Sequence, residues 1–185
     1  APSANIIAYS WNMGGTGNYQ NGTNNNSQNP VYLYNDCGTH NVILTSTDDN
    51  GCTHDTTITI FVNCNPTANF NAPPICFDEQ PMVFTNTSTN GTGTINNWNW
   101  SFGDTPPGNS NIPNPTYNYN DCGTYDVELT VTDNNSCANT ITIPVEVFCE
   151  PVAGFTYTPE CVGTNTIFTN TSTSPVNIST WNWNM

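Results

Sequence analysis

The clearest signal along the chain is a strict alternation of apolar and polar side chains. Tyr125, Val127, Leu129 and Val131 occupy every second position, Asp133, Asn134 and Asn135 interrupt, and Ile141, Ile143, Val145 and Val147 resume the same spacing. Successive side chains of an extended strand point to opposite faces, so this period of two predicts a hairpin with one buried face. Shorter runs precede it: Ala68 to Asn71, Met82 to Thr87, Asn97 to Phe102 ending at Gly103-Asp104, and Thr116 to Tyr119. Clusters of Gly, Pro, Asn and Asp, which favour turns, bound each run. No 11-residue window places apolar residues at helical spacing. The pattern predicts an all-β protein built as a sandwich of two sheets.

That pattern occurs more than once. Cysteines stand at 37, 52, 64 and 76 and again at 122, 137, 149 and 161, each of the second four lying 85 positions after its counterpart. Tyr34 to Val62 aligns without a gap on Tyr119 to Val147, and VFTNTST from Val83 recurs as IFTNTST from Ile167. A tryptophan-bearing strand appears three times, at Trp11, Trp100 and Trp183. Self-similarity at a fixed period means repeated structural units. Residues 1–64 read as a module lacking its first two strands, 65–149 as a complete one, and 150–185 as one holding only its first three.

Composition then removes whole classes of function. The 185 residues include 14 Asp and Glu and no Lys or Arg, for a formal net charge of -14. Nucleic-acid binding is not expected, because no cation neutralises phosphates, and an anionic membrane surface is excluded on the same ground. Phosphoryl transfer lacks its usual Lys or Arg clamp. Only 35% of residues are apolar, which with this charge points toward disorder. Against that, aromatics make up 11% and sit within the patterned runs, so an ordered core is expected. Roughly 30 Asn and 30 Thr suit turns and strand surfaces rather than helices. Eight cysteines in so short a chain predict an oxidising, extracellular compartment. No stretch reads as a signal peptide or a membrane span, so a mature or excised segment is expected.

The motifs WNWSFGD from Trp98, NPTYNY from Asn114 and GTYDVELTVTDN from Gly123, in that order, resemble a PKD (polycystic kidney disease) domain. The cysteine-bearing tandem copies are also similar to surface adhesin repeats of gliding bacteria. In the first module the WNWSFGD motif has decayed to YSWNMGG from Tyr9. What the resemblance implies is an immunoglobulin-like sandwich on a bacterial surface or secreted protein, acting as a spacer, an adhesive or a contact module. In such a topology successive loops alternate between the two ends, which predicts the disulfides Cys76–Cys122 and Cys64–Cys137. The competing pairing is Cys122–Cys149 across the hairpin base. By the same rule, Cys149 would meet Cys52 of a following copy and Cys161 would meet its Cys37. The chain then reads as one link of a head-to-tail filament, either of separate subunits or of one continuous polypeptide; the bland alternative is an isolated fragment.

Candidate chemistry is sparse. Carboxylates are the only charges, so calcium is the ion to weigh, with oxygen donors clustered at Asp48-Asp49-Asn50, Asp133-Asn134-Asn135 and Asp78-Glu79. Ordinary turn residues bonding their own backbone would look the same. His40 and His54 align with Tyr125 and Asn139, so they read as substitutable positions rather than zinc ligands. No nucleophile with a supporting base is visible; Asp104 and Asp121 belong to turns, and an enzyme is not expected. Sequons begin at Asn21, Asn25, Asn86, Asn90, Asn99, Asn134, Asn170 and Asn177, although a chain this rich in Asn and Thr generates them by chance and Asn99 falls in a strand; Asp55-Thr56-Thr57 resembles a bacterial O-glycosylation signal with Thr56 as its acceptor. Trp100 and Trp183 align with Trp11 and are assigned inward, leaving Trp98 and Trp181 as candidate sugar contacts, with core or edge packing as their competing and favoured role. The expected partners are copies of the chain itself and glycans, with no cofactor beyond calcium. A contact module of a larger secreted hydrolase is the second reading, and ice or polysaccharide binding by rows of threonine is the third.

Overall fold

In a computed structural model, residues 4–174 and 178–184 are described. The first module contributes β1 (Ile6–Asn12), β2 (Gly17–Gln20), β3 (Val31–Tyr34), β4 (Gly38–Asp48) and β5 (Thr53–Val62). The second contributes β6 (Phe70–Asn71), β7 (Ile75–Cys76), β8 (Met82–Val83), β9 (Thr85–Asn86), β10 (Ile95–Ser101), β11 (Asn109–Ser110), β12 (Thr116–Tyr117), β13 (Gly123–Asp133) and β14 (Ala138–Phe148). The third contributes β15 (Phe155–Tyr157) and β16 (Phe168–Asn170). A single turn of 3-10 helix, Phe77–Glu79, follows β7.

The second module is a β-sandwich. One layer is a five-stranded sheet in the order β11-β10-β13-β14-β7, and the other is built from the short pairs β6-β9 and β8-β12. Strand β7 runs parallel to the end of β14, with Ile75 beside Val147 and Cys76 beside Phe148. Pro144 lies within β14, outside the stretch that β7 covers. Alternation fills the space between layers: Val127, Leu129, Val131, Val145 and Val147 face Phe70, Met82 and Phe84, and all are buried. Trp100 stands at the centre, its ring 5.1 Å from that of Phe70 and 5.6 Å from that of Phe84. Its buried indole N–H donates to the Ile112 carbonyl at 3.0 Å, which satisfies the polar edge of an otherwise apolar side chain.

The first module has the sheet β1-β4-β5 and the separate pair β2-β3. Its hairpin register runs from Gly38 opposite Val62 to Thr47 opposite Thr53. Trp11 repeats the device of Trp100, donating its indole N–H to the Ser27 carbonyl at 2.9 Å. It is only half-buried, as are Val42, Leu44, Ile60 and Val62, the counterparts of Val127, Leu129, Val145 and Val147. In the third module β15 and β16 form a hairpin, Phe155 opposite Asn170 and Tyr157 opposite Phe168, whose residues are all exposed.

Two expectations are corrected here. The disulfides are Cys37–Cys64 and Cys122–Cys149, each with a Cα separation of 5.0 Å, so the predicted Cys76–Cys122 and Cys64–Cys137 pairs do not form. An antiparallel hairpin brings the residue before its first strand beside the residues after its second. That register, and not the end of the sandwich on which a loop lies, selects the partner. Cys37 and Cys149 are thereby used within the chain, so the expected links from Cys149 to Cys52 and from Cys161 to Cys37 of another copy have no free thiol on one side. Secondly, Trp98 does not oppose Trp100. Two residues apart on β10 they share a face, and Trp98 is half-buried with its Nε1 enclosed.

Because Phe84 is fully buried whereas its counterpart Phe168 is not, Phe84→Ala is expected to cost the second module about 3–5 kcal/mol. Phe168→Ala is expected to cost about 0.5 kcal/mol or less. Chemical denaturation followed by tryptophan fluorescence compares the two directly.

Candidate functional site

The acidic turns are satisfied by backbone donors. At the β13-β14 turn one carboxylate oxygen of Asp133 accepts the N–H groups of Asn135 and Cys137, both at 2.9 Å. Asp48 does the same at the β4-β5 turn, accepting from Asn50 at 2.9 Å and Cys52 at 2.8 Å. An aspartate that opens a turn this way replaces water at two amides that the ladder cannot pair. Asp133 is nevertheless buried, and its Oδ2 has no hydrogen-bond partner. Asn134 Oδ1 accepts the Thr94 N–H at 2.9 Å beside it, and a Cβ at Gly93 would stand 2.4 Å from Asp133 Oδ2. Only a glycine lets the loop approach so closely.

Asp78 and Glu79 sit on the 3-10 turn after Cys76. Glu79 accepts the Cys76 N–H at 3.1 Å, and Glu150 accepts the Asp78 N–H at 2.5 Å. Desolvation first, then the carboxylates of Glu79, Asp78 and Glu150, hold the Cys76 thiol above its ordinary pKa. Among the described residues no three His, Cys, Asp or Glu side chains gather as a metal site. Asp48 and Asp49, Asp133, and Asp78 with Glu79 therefore remain separate turns.

A further polar cluster joins the Gly103-Asp104 turn to the short strand run at Thr116 to Tyr119. Asp104 accepts the Gly108 N–H at 2.8 Å and the Tyr117 hydroxyl at 2.5 Å. The Tyr117 ring stacks on Phe102 at 4.1 Å, Tyr119 stacks on Tyr125 at 3.9 Å, and the Tyr119 hydroxyl donates to the Phe102 carbonyl at 3.0 Å. Gln80 pairs in both directions with the Tyr119 backbone. Burial pushes the Asp104 pKa up, but the hydrogen bonds from Tyr117 and Gly108 outweigh it and the net shift is downward. The same bond raises Tyr117 to about 12, while burial raises Tyr119. The available signal was the alternation of Tyr117 and Tyr119 in the short strand run that follows the Gly103-Asp104 turn by 13 residues. Through these bonds the group ties the 104–108 loop to β12 and to the residues that follow it.

His40 is buried, stacked on Tyr34 at 4.5 Å, with its ring nitrogens 3.5 Å from the Gly14 carbonyl and 3.3 Å from that of Asp36. It thus fills the place that Tyr125 fills against Tyr119. His54 is exposed. Of the sequon asparagines, Asn21, Asn25, Asn90, Asn99, Asn134 and Asn170 are exposed, Asn86 is half-buried, and Asn177 lies outside the described residues; Thr56 is exposed. Trp181 is exposed. Cys52, Cys76 and Cys161 are exposed free thiols, and Cys137 is a half-buried one.

Comparison with known proteins places these features. A family model described as the PKD domain matches residues 1–62 and 63–147. The chain is 36% identical over 98 residues to collagenase ColA of Clostridium perfringens (strain 13 / Type A), a match covering 52% of the chain and 9% of that protein. The chain therefore spans about a tenth of the length of this curated relative. Among solved structures, the PKD1 domain of Vibrio anguillarum Epp is 30% identical, covering 46% of the chain and 95% of that domain with a TM-score of 0.40. The PKD1 domain of the Vibrio cholerae metalloprotease PrtV is 29% identical, covering 45% and 98% with a TM-score of 0.40.

The shifted groups define a pH dependence. A carboxylate with a lowered pKa stabilises the fold above the usual carboxylate range, and that stability is lost as pH falls through its folded value. A tyrosine with a raised pKa stabilises below its unfolded value of 10.0, and loses that contribution as pH rises through about 12. Tyrosinate absorbance at 295 nm is expected to show a step near pH 12 that Tyr117→Phe removes. Asp104→Asn is expected to weaken the acid-side fall in the unfolding midpoint between pH 2 and 5.

Proposed function

Since the chain belongs to the PKD domain family, we propose that it is a non-catalytic structural and adhesive segment of an extracellular bacterial protein, a string of modules that carries load and joins head to tail into a filament. The observation that carries this reading is where the disulfides lie. Each joins the residues flanking a hairpin base, and in the second module Cys149 sits at the end of the strand that leaves toward the next module. Tension entering through that linker is passed covalently from β14 to the start of β13, so the terminal strand cannot peel away alone. Disulfides persist in oxidising compartments, which accords with an extracellular setting. A surface carrying fourteen carboxyl side chains and no lysine or arginine stays soluble through charge repulsion and neutral polar groups. Exposed sequons and Thr56 offer places for sugar on that surface.

A second reading is favoured by the match to collagenase ColA: a spacer or contact module within a larger secreted hydrolase, whose catalytic part lies elsewhere. Calcium is a secondary proposal, supported by the buried and unpartnered Asp133 Oδ2 beside Asn134. Calcium held there is expected to raise the unfolding midpoint of the chain, a rise that Asp133→Asn should erase.

Force spectroscopy on the full chain tests the load-bearing reading. Each disulfide hides a 27-residue span from extension. Unfolding of the second module is therefore expected to release about 10 nm more contour after reduction than before. Equal lengths in the two conditions would remove the mechanical role.

A further inference from the structure

One long strand edge of the first module is open. In the sheet β1-β4-β5, β5 pairs with β4 from Thr53 to Val62, and among the described residues no strand lies on its other side. At the head of that hairpin the Asp48 N–H donates to the Cys52 carbonyl. Opposed residues of an antiparallel ladder alternate between exchanging both hydrogen bonds and exchanging none. Counting by twos from that bond, His54, Thr56, Ile58, Ile60 and Val62 spend their backbone groups on β4. Thr53, Asp55, Thr57, Thr59 and Phe61 turn theirs outward.

The second module shows how much of such an edge the chain covers for itself. There β7 pairs only with Val147 and Phe148, at the end of β14. A strand seated at the same place in the first module would reach Val62 and Asn63 alone, so the plan of the complete module leaves Thr53 to Phe61 open. On β14 the corresponding stretch is blunted by Pro144 and Glu146, which stand where β5 has Thr59 and Phe61. Pro144 falls at an outward position, the one place where a strand can spare an N–H. In β5 both obstacles are missing. Ile58 and Phe61 are 61% and 59% exposed, and no residue from Thr56 to Val62 can carry a charge, in a chain of formal net charge -14.

We infer that β5 is a pairing edge and that its occupant is β5 of a second copy, antiparallel and centred on Ile58. Charge selects both occupant and register. Another β14 edge would bring Glu146 and the missing donor of Pro144. The outer edge of β1 is already engaged, its Trp11 backbone N–H donating to the Asn25 carbonyl. Strand β5 carries a single acid, Asp55. Parallel pairing would set Asp55 beside its own copy, and like charges directly opposite oppose pairing. In the antiparallel pair centred on Ile58, Asp55 instead faces Phe61 of the second copy. The two aspartates then stand six residues apart along the strands, about 20 Å. That exceeds the screening length of about 10 Å at 0.1 M salt.

The same register satisfies the backbone. Asp55 and Phe61 of one chain meet Phe61 and Asp55 of the other, and Thr57 and Thr59 meet Thr59 and Thr57, so outward groups face outward groups throughout. Ile58 meets its own copy on the two-fold axis, in the kind of pair whose side chains approach closest. Such a contact is isologous and closes at a dimer. It is a lateral contact, and it does not depend on the load-bearing reading above.

Sedimentation velocity and residue-resolved amide hydrogen exchange on the full unglycosylated chain, at a pH of about 6 where thiol exchange is slow, test the inference. A reversible, non-covalent monomer–dimer equilibrium is expected. The amides of Asp55, Thr57, Thr59 and Phe61 should gain protection as concentration rises, while those of Thr140 and Thr142 on β14 do not. Because both copies are acidic, raising salt from about 0.02 to 0.5 M should tighten the dimer. Thr59→Pro with Phe61→Glu, which copies the β14 edge onto β5, is expected to weaken the dimer about tenfold or more. Phe61→Glu alone makes no demand on the backbone and should weaken it less, with the unfolding midpoint of the monomer unchanged. Pro144→Thr with Glu146→Phe should open the second edge and carry assembly beyond the dimer. Monomers at every concentration, dimers indifferent to both β5 variants, or an open-ended series with protection on β1 would each overturn the inference. The contour lengths read by force are untouched by any of these outcomes.

Discussion

No side chain in this protein apart from two histidines can carry a positive charge, and every polar contact is shaped by that fact. A carboxylate that leaves water must be met by neutral donors, because no ion pair is available to it. Asp48, Asp133, Asp104, Glu79 and Glu150 all accept backbone N–H groups, and Asp104 adds the Tyr117 hydroxyl. Acids thereby become turn formers. The loops are held by these acids, and the strands by backbone ladders, apolar burial and two covalent cross-links.

Much of the fold was readable because it is written as alternation. The run from Tyr125 to Val131 and its return from Ile141 to Val147 became β13 and β14, with Val127, Leu129, Val131, Val145 and Val147 buried. His40, which the repeat aligns with Tyr125, proved to be a buried stand-in for a tyrosine. These features depend on spacing along one strand or on identity between copies, both of which a linear text preserves.

Other features depend on register and depth. The disulfide partners follow from which residues flank a hairpin base, and a rule about sandwich ends does not contain that information. Trp98 was assigned outward although residues two apart share a face, and burial of its indole nitrogen follows from that geometry. The Asp104 and Tyr117 bond joins residues 13 apart through a loop whose path no periodicity announces. The exposure of Phe155 and Phe168 was invisible for a further reason: their sequence copies that of Phe70 and Phe84, which are buried.

Pro144 within β14 has a meaning for the crowded state. An outer strand with a full row of amide donors recruits strands from neighbouring molecules and seeds lateral sheet growth. Proline withholds one of those donors, and the exposed Glu146 two residues later adds a repelling charge along the same edge. A neighbouring chain at high local density thus meets an interrupted row of donors there, and lateral growth of the sheet through that edge is disfavoured.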